Sequence, residues 1–296
     1  MGLAPRIIRN NDLAALTTNA VGRLICRDVD SFVFVATTGR TGTQSLSAIF
    51  SAVEGFRAFH EPHPIMNGAV LERAGAGDAQ FIKNEFFRFK LPGVYWRAKF
   101  SKGYFESNHL FIKTFADETA EALGDRLKAI YLFRDPDAVA SSYFNRHPPQ
   151  GAPGANAAQD PDIWVLRPDA KTNLLDMADL LERRDPRERH YLRFVWYSFE
   201  TEARATDFHL RHPEIRMVAL DTADLNNLEK LKALFSDLDI PKPANLEGLV
   251  GTRANASARK PALPAGVDPA ASAAFQAACR SRLDALGLSW PGGPVD

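Results

Sequence analysis

The chain alternates short runs of β-branched and aromatic residues with segments whose apolar positions recur at helical spacing. That is the rhythm of a mostly parallel sheet covered by helices. The runs predict strands over residues 32–36, 109–115, 127–133 and 214–220. Helical patterns over 43–53, 117–123 and 137–144 each follow a strand after a short turn, and a fourth covers about 225–236. From 187 to 210, Tyr191, Phe194, Val195 and Phe199 share one face of a long amphipathic helix, and an Ala-rich helix is expected over 268–286. Two stretches break the rhythm. Residues 147–169 are dense in Pro and Gly, and residues 241–267 mix Pro, Gly, Asn and Ala. The segment 81–105 is so rich in aromatics and Lys/Arg that no single element emerges. One domain spanning 1–296 with these two irregular insertions is expected.

Composition narrows the possibilities. The 296 residues carry 36 Lys+Arg against 36 Asp+Glu and are 45% apolar, which fits a soluble protein with a full core. A net charge of zero removes the broad attraction that a nonspecific nucleic-acid binder needs. Cys26 and Cys279 are the only cysteines, too few for a disulfide framework or a thiolate metal centre, and they fit a reducing cytoplasm. The N-terminal residues lack a secretion-signal pattern, and no apolar run approaches the ~20 residues of a membrane span. A cytoplasmic protein with no nucleic-acid partner and no membrane span is expected.

The chemistry concentrates in FVFVATTGRTGTQSL, residues 32–46, where a strand runs through a Gly/Thr turn into a helix. Gly39 and Gly42 allow a turn whose N–H groups point inward, Thr41 and Thr43 offer hydroxyls, and the helix presents its positive end. Arg40 adds a fork of donors suited to phosphate or sulfate. Walker A spacing and its Lys are missing. A ligand-free strand-to-helix turn is the bland alternative. In LFRDPDAVASSYFN, residues 132–145, Arg134 ends a strand, where open α/β sheets bind ligands. Ser142 lies on the following helix, and Asp135 is a plausible N-cap. Between these segments, FHEPHP places His60, Glu61 and His63 among prolines. Glu61 is the candidate general base, with His60 and His63 as alternatives or orienting partners.

TTGRTGTQSL followed by LFRDPDAVASSYF resembles the two nucleotide-binding signatures of the sulfotransferases that use 3′-phosphoadenosine 5′-phosphosulfate (PAPS). The resemblance implies a P-loop NTPase-like α/β architecture, a central mostly parallel sheet flanked by helices. It puts Arg40, Thr41, Gly42, Thr43 and Gln44 on the 5′-phosphosulfate, with Gly39 and Ser45 at the ends of the same cofactor-binding loop, and Arg134 and Ser142 on the 3′-phosphate. Arg253, with Asn255, Ser257 and Lys260, is similar to the family's closing loop over the nucleotide. FHEPHP resembles the His-Glu-Pro segment of carbohydrate- and protein-modifying members, some of which use such a Glu as base.

The sequence also departs from the family. Many members have Lys at the position of Arg40 and an aromatic at that of Ser45. In HLFIKTF, residues 109–115, Lys113 and Thr114 match a Lys-Thr-His segment, but Phe115 stands where the family often carries its base. The implied activity is sulfuryl transfer from PAPS, without a required metal, to a hydroxyl or amine of a small-molecule or carbohydrate acceptor, leaving 3′-phosphoadenosine 5′-phosphate (PAP). Glu61 takes the proton while Arg40 and Lys113 stabilise the departing charge. An atypical P-loop kinase or NTPase, and a noncatalytic nucleotide-binding protein, are the competing expectations.

Overall fold

A computed structural model describes residues 10–149, 160–251 and 263–291, with no side chains described for 10–16. Five strands, β1 (Ser31–Ala36), β2 (Phe56–His60), β3 (Gly103–Ser107), β4 (Leu127–Phe133) and β5 (Arg216–Asp221), form one sheet in the order β2-β3-β1-β4-β5. Every pairing is parallel. All carboxyl ends therefore lie along one edge.

The helices are α1 (Asn10–Ile25), α2 (Thr43–Ser51), α3 (Ala69–Gly75), α4 (Ala79–Glu85), α5 (Leu91–Ala98), α6 (Ala116–Leu123) and α7 (Pro136–Arg146). They continue with α8 (Ala178–Glu182), α9 (Pro186–Arg211), α10 (Leu228–Asp237), α11 (Leu246–Leu249) and α12 (Pro269–Leu286). β1 is buried throughout because helices cover both faces of the sheet. Phe32 and Phe34 point into a core shared with Tyr95, Phe111 and Phe115, whereas Val33 and Val35 face Leu46, Ile49 and Phe50 of α2. The chain leaves β1 toward one face and β3 toward the other. Neighbouring strands that part in this way open a crevice at their carboxyl ends.

Three helices begin at Asp-Pro. Asp135, Asp185 and Asp268 each cap backbone amides ahead of a first-turn Pro, which fixes the starts of α7, α9 and α12. The strand expected at 109–115 is not one. Its place in the sheet is taken by β3, and Phe111–Phe115 forms a π-helical turn leading into α6. The Asn108 side chain accepts from the Leu110 amide at 3.0 Å, turning the chain out of the sheet. β3 escapes an apolar-run reading because GYFES carries a buried Glu106.

That carboxylate has a partner. Lys90, fully buried, places Nζ 2.5 Å from Glu106 Oε1. The Tyr104 hydroxyl and the Asn108 amide also donate to Glu106, at 2.7 and 3.0 Å. The same Lys90 donates to the carbonyls of Pro62 and Pro64 at 3.3 and 3.0 Å, so the pair clamps the segment after β2 onto β3. Burial pushes the Lys90 ammonium down from its ordinary range, and the Glu106 charge opposes that. Glu106→Gln leaves a buried cation without its counter-charge. A loss of about 3–5 kcal/mol in unfolding free energy is expected from urea denaturation; a loss within error of zero would contradict this role.

Candidate active site

The turn after β1 is built from left-handed backbone. Gly39, Arg40 and Gly42 have φ of 82°, 61° and 81°, and a Cβ on Gly39 would stand 2.9 Å from the Tyr143 hydroxyl. A second glycine-only contact is at Gly42, where a Cβ would stand 2.9 Å from Leu225 Cδ1. Arg40 is the exception among the three, since a side chain in this region carries a steric cost.

Its surroundings hold it there. The Thr38 carbonyl accepts from Tyr143 Oη at 2.7 Å and Tyr197 Oη at 3.1 Å. The Thr41 carbonyl lies 2.8 Å from the Thr222 hydroxyl, which is equally close to the Phe133 carbonyl at the end of β4. Burial pushes both phenols far above their ordinary range, so they remain donors. Thr41, expected to offer its hydroxyl outward, is buried with Oγ1 2.6 Å from that of Thr37. Thr43 is buried at the start of α2, and Gln44 and Ser45 follow in its first turn. Because α2 has Gly42 as N-cap and no side-chain cap, its positive end is left for backbone amides to present.

Arg134 and Ser142 converge on this turn. The Arg134 guanidinium donates to the Arg40 carbonyl at 3.0 Å, and Arg40 Nε donates to Ser142 Oγ at 2.8 Å. The two sequence motifs thus meet in one place. A cavity of about 560 Å³ opens beside them, lined by Thr38, Phe133, Arg134, Phe199, Gln276 and Arg280 among others. This is within the size range of small-molecule sites.

Glu61 follows β2 directly, with φ of 46°. Its Oε1 lies 2.7 Å from Nδ1 of His109, which stands just beyond β3 and packs against Gly39. The partner is therefore His109 and not His60 or His63. His60 turns Nδ1 to Ser107 Oγ at 3.0 Å, and the His63 carbonyl receives Arg97 at 2.6 Å. Burial alone would raise the Glu61 carboxyl, but the bond from His109 and the fields of His109, His60 and Lys113 outweigh it, and the net shift is downward. His109 is 5% exposed. Burial and the nearby Lys113 charge lower its pKa against the opposing pull of Glu61 and the Trp164 backbone. A neutral His109 donates Nδ1–H to an ionised Glu61, leaving Nε2 as the buried, unprotonated ring nitrogen. Glu61, with 29% of its side chain exposed, is the accessible member of the pair.

Lys113 stands beneath the turn. It is buried and donates to the Tyr197 hydroxyl, and burial drives its pKa well down. Trp196 of α9 is core, its indole N–H on the Leu175 carbonyl at 2.7 Å. Arg253 and the rest of its segment lie outside the described residues, as do residues 150–159 of the Pro-rich insertion. No family model matches the chain, and no curated protein matches it.

The pair sets a pH dependence. The folded pKa of His109 lies below its ordinary 6.5, so the unfolded chain binds the extra proton first. Stability is then expected to fall as pH drops below about 6.5, with a further loss through the carboxylate range as Glu61 is protonated. Urea midpoints measured against pH should decline less steeply between neutrality and the carboxylate range in His109→Gln. An unchanged slope would remove His109 as the source.

Proposed function

We propose that the protein is a PAPS-dependent sulfotransferase. The observation that carries this reading is the order of groups along one sheet edge: Glu61 after β2, His109 after β3, the glycine-bent turn after β1 and Arg134 after β4. Three strand spacings separate the first from the last, about 14 Å at ~4.8 Å each. That length leaves room for an acceptor beside Glu61 followed by a nucleotide gripped at the turn and at Arg134, which stand on adjacent strands. The turn and the start of α2 offer donors for the 5′-phosphosulfate, while Arg134 and Ser142 offer donors for the 3′-phosphate. The neighbouring cavity has room for the nucleoside. The resemblance of both motifs to the sulfotransferase signatures supports the same assignment.

In this reading the acceptor oxygen or nitrogen attacks sulfur as the bond from sulfur to the bridging phosphate oxygen breaks, and PAP leaves. The acceptor proton passes to the oxygen of the Glu61 carboxylate that His109 does not engage. His109 thus acts as a positioning residue. Charge developing on the bridging oxygen is met by Arg40, by the amides of the turn and by the helix end, all fixed before reaction. Lys113 acts through Tyr197, which holds the Thr38 carbonyl and so the turn.

Glu61→Gln separates base from binder. Transfer of radiolabelled sulfuryl from PAPS to a panel of hydroxyl and amine acceptors is expected to drop about 10²–10⁴-fold, with PAP affinity nearly unchanged. Wild-type turnover in the variant would remove Glu61 from the mechanism, and an active panel member with no need for PAPS would overturn the assignment.

A further inference from the structure

Nine large apolar side chains stand exposed among the described residues, and six of them belong to two neighbouring stretches. Val21, Leu24 and Ile25 lie on α1; Phe89, Trp96 and Phe100 lie on the π-helical turn before α5, on α5 itself and just after it. The two stretches adjoin, since Gly22 of α1 packs against the Tyr95 ring and Cys26 Sγ donates to the Tyr95 carbonyl at 3.3 Å. Phe100 is 85% exposed and Trp96 66%. Side chains that project this far are suited to entering a fluid phase more than to filling a preformed pocket. Clustered exposure of this kind marks an interaction surface, unlike scattered single residues.

The charge beside these aromatics has one sign. Every charged residue from 86 to 102 is a cation: Arg88, Lys90, Arg97, Lys99 and Lys102. Lys90 is cancelled in the core by Glu106 and Arg97 is engaged with the His63 carbonyl. Lys99 remains at the surface, with Nζ 2.9 Å from the Trp96 ring centroid and 5.9 Å from that of Phe100, and Lys102 is exposed. Just beyond α1, Arg27 is paired with Asp28 at 3.6 Å. This local excess belongs to a chain of zero net charge. A second copy of the chain meeting this face symmetrically would set cations against cations. An anionic surface complements it.

We propose that this aromatic and cationic face docks on a bilayer containing anionic lipid. Phe89, Trp96 and Phe100 enter the headgroup layer, and Lys99 and Lys102 meet the lipid phosphates. No described helix is long and apolar enough to cross a membrane, so the attachment is peripheral. Phe100 and Lys102 directly precede β3 at its amino end, whereas Glu61 lies at the carboxyl edge of the sheet. Docking does not depend on the chemistry proposed for that site.

Cosedimentation of the full chain with phosphatidylcholine vesicles, with and without phosphatidylglycerol, tests this. Binding to the anionic vesicles is expected, with little to phosphatidylcholine alone. Lys99→Gln with Lys102→Gln should weaken binding by about 25-fold, fivefold per cation. Trp96→Ser with Phe100→Ser should weaken it at least about tenfold, without lowering the melting temperature. The proposal is overturned by absent binding, by equal binding to both vesicle types, or by variants that bind like the wild type. It is equally overturned if gel filtration shows a dimer that the variants abolish, which assigns the face to a second copy.

Discussion

The candidate site depends on the Thr38 carbonyl being held by two buried tyrosine hydroxyls. With that oxygen tied down, the chain can pass through Gly39, Arg40 and Gly42 in left-handed backbone instead of relaxing toward an ordinary turn. A non-glycine residue in this region costs about 1–3 kcal/mol and persists only where its surroundings over-determine it. Here the surroundings are specific: Tyr143 from α7, Tyr197 from α9 and Thr222 after β5. The conformation then aims the Arg40 carbonyl at Arg134 and its guanidinium at Ser142. Elements far apart in the chain are thereby joined at one sheet edge.

The same logic repeats on the neighbouring strand. Glu61 is also left-handed, and the segment beyond it is fastened by Lys90 through the carbonyls of Pro62 and Pro64. The backbone amide of Glu61 extends the β2–β3 pairing by donating to the Ser107 carbonyl at 3.0 Å. A buried ion pair is weak evidence for net stability. Its consequence here is positional, because Lys90 ties Glu106 of β3 to the segment that brings Glu61 to His109. Two charged residues with strained backbone, Arg40 and Glu61, thus flank the central crevice.

The fold was legible where pattern and capping agree. The strands near 32–36, 127–133 and 214–220 follow from apolar runs, the helix after Asp135 from its N-cap, and the long helices near 187–210 and 268–286 from apolar periodicity and Ala content. β3 was hidden because a strand that buries Glu106 reads as polar until Lys90, sixteen residues earlier, is known to meet it. His109 was missed for a related reason: taken as the start of a strand, it had no reason to face Glu61, which lies 48 residues away. The meeting of Arg40, Arg134 and Ser142 was foreshadowed by the paired motifs. The tyrosines beneath them were not, since Tyr143 and Tyr197 look like ordinary core positions until their hydroxyls find Thr38.

The most direct measurement is calorimetric titration, in chelator, of PAP and of adenosine 5′-phosphate into the wild-type protein and Arg134→Ala. If one nucleotide spans the turn and Arg134, the wild type binds PAP without metal and more tightly than adenosine 5′-phosphate, and the variant loses most of that preference. Equal affinity of the wild type for both nucleotides, or binding that appears only with Mg²⁺, would contradict a site built for a doubly phosphorylated carrier.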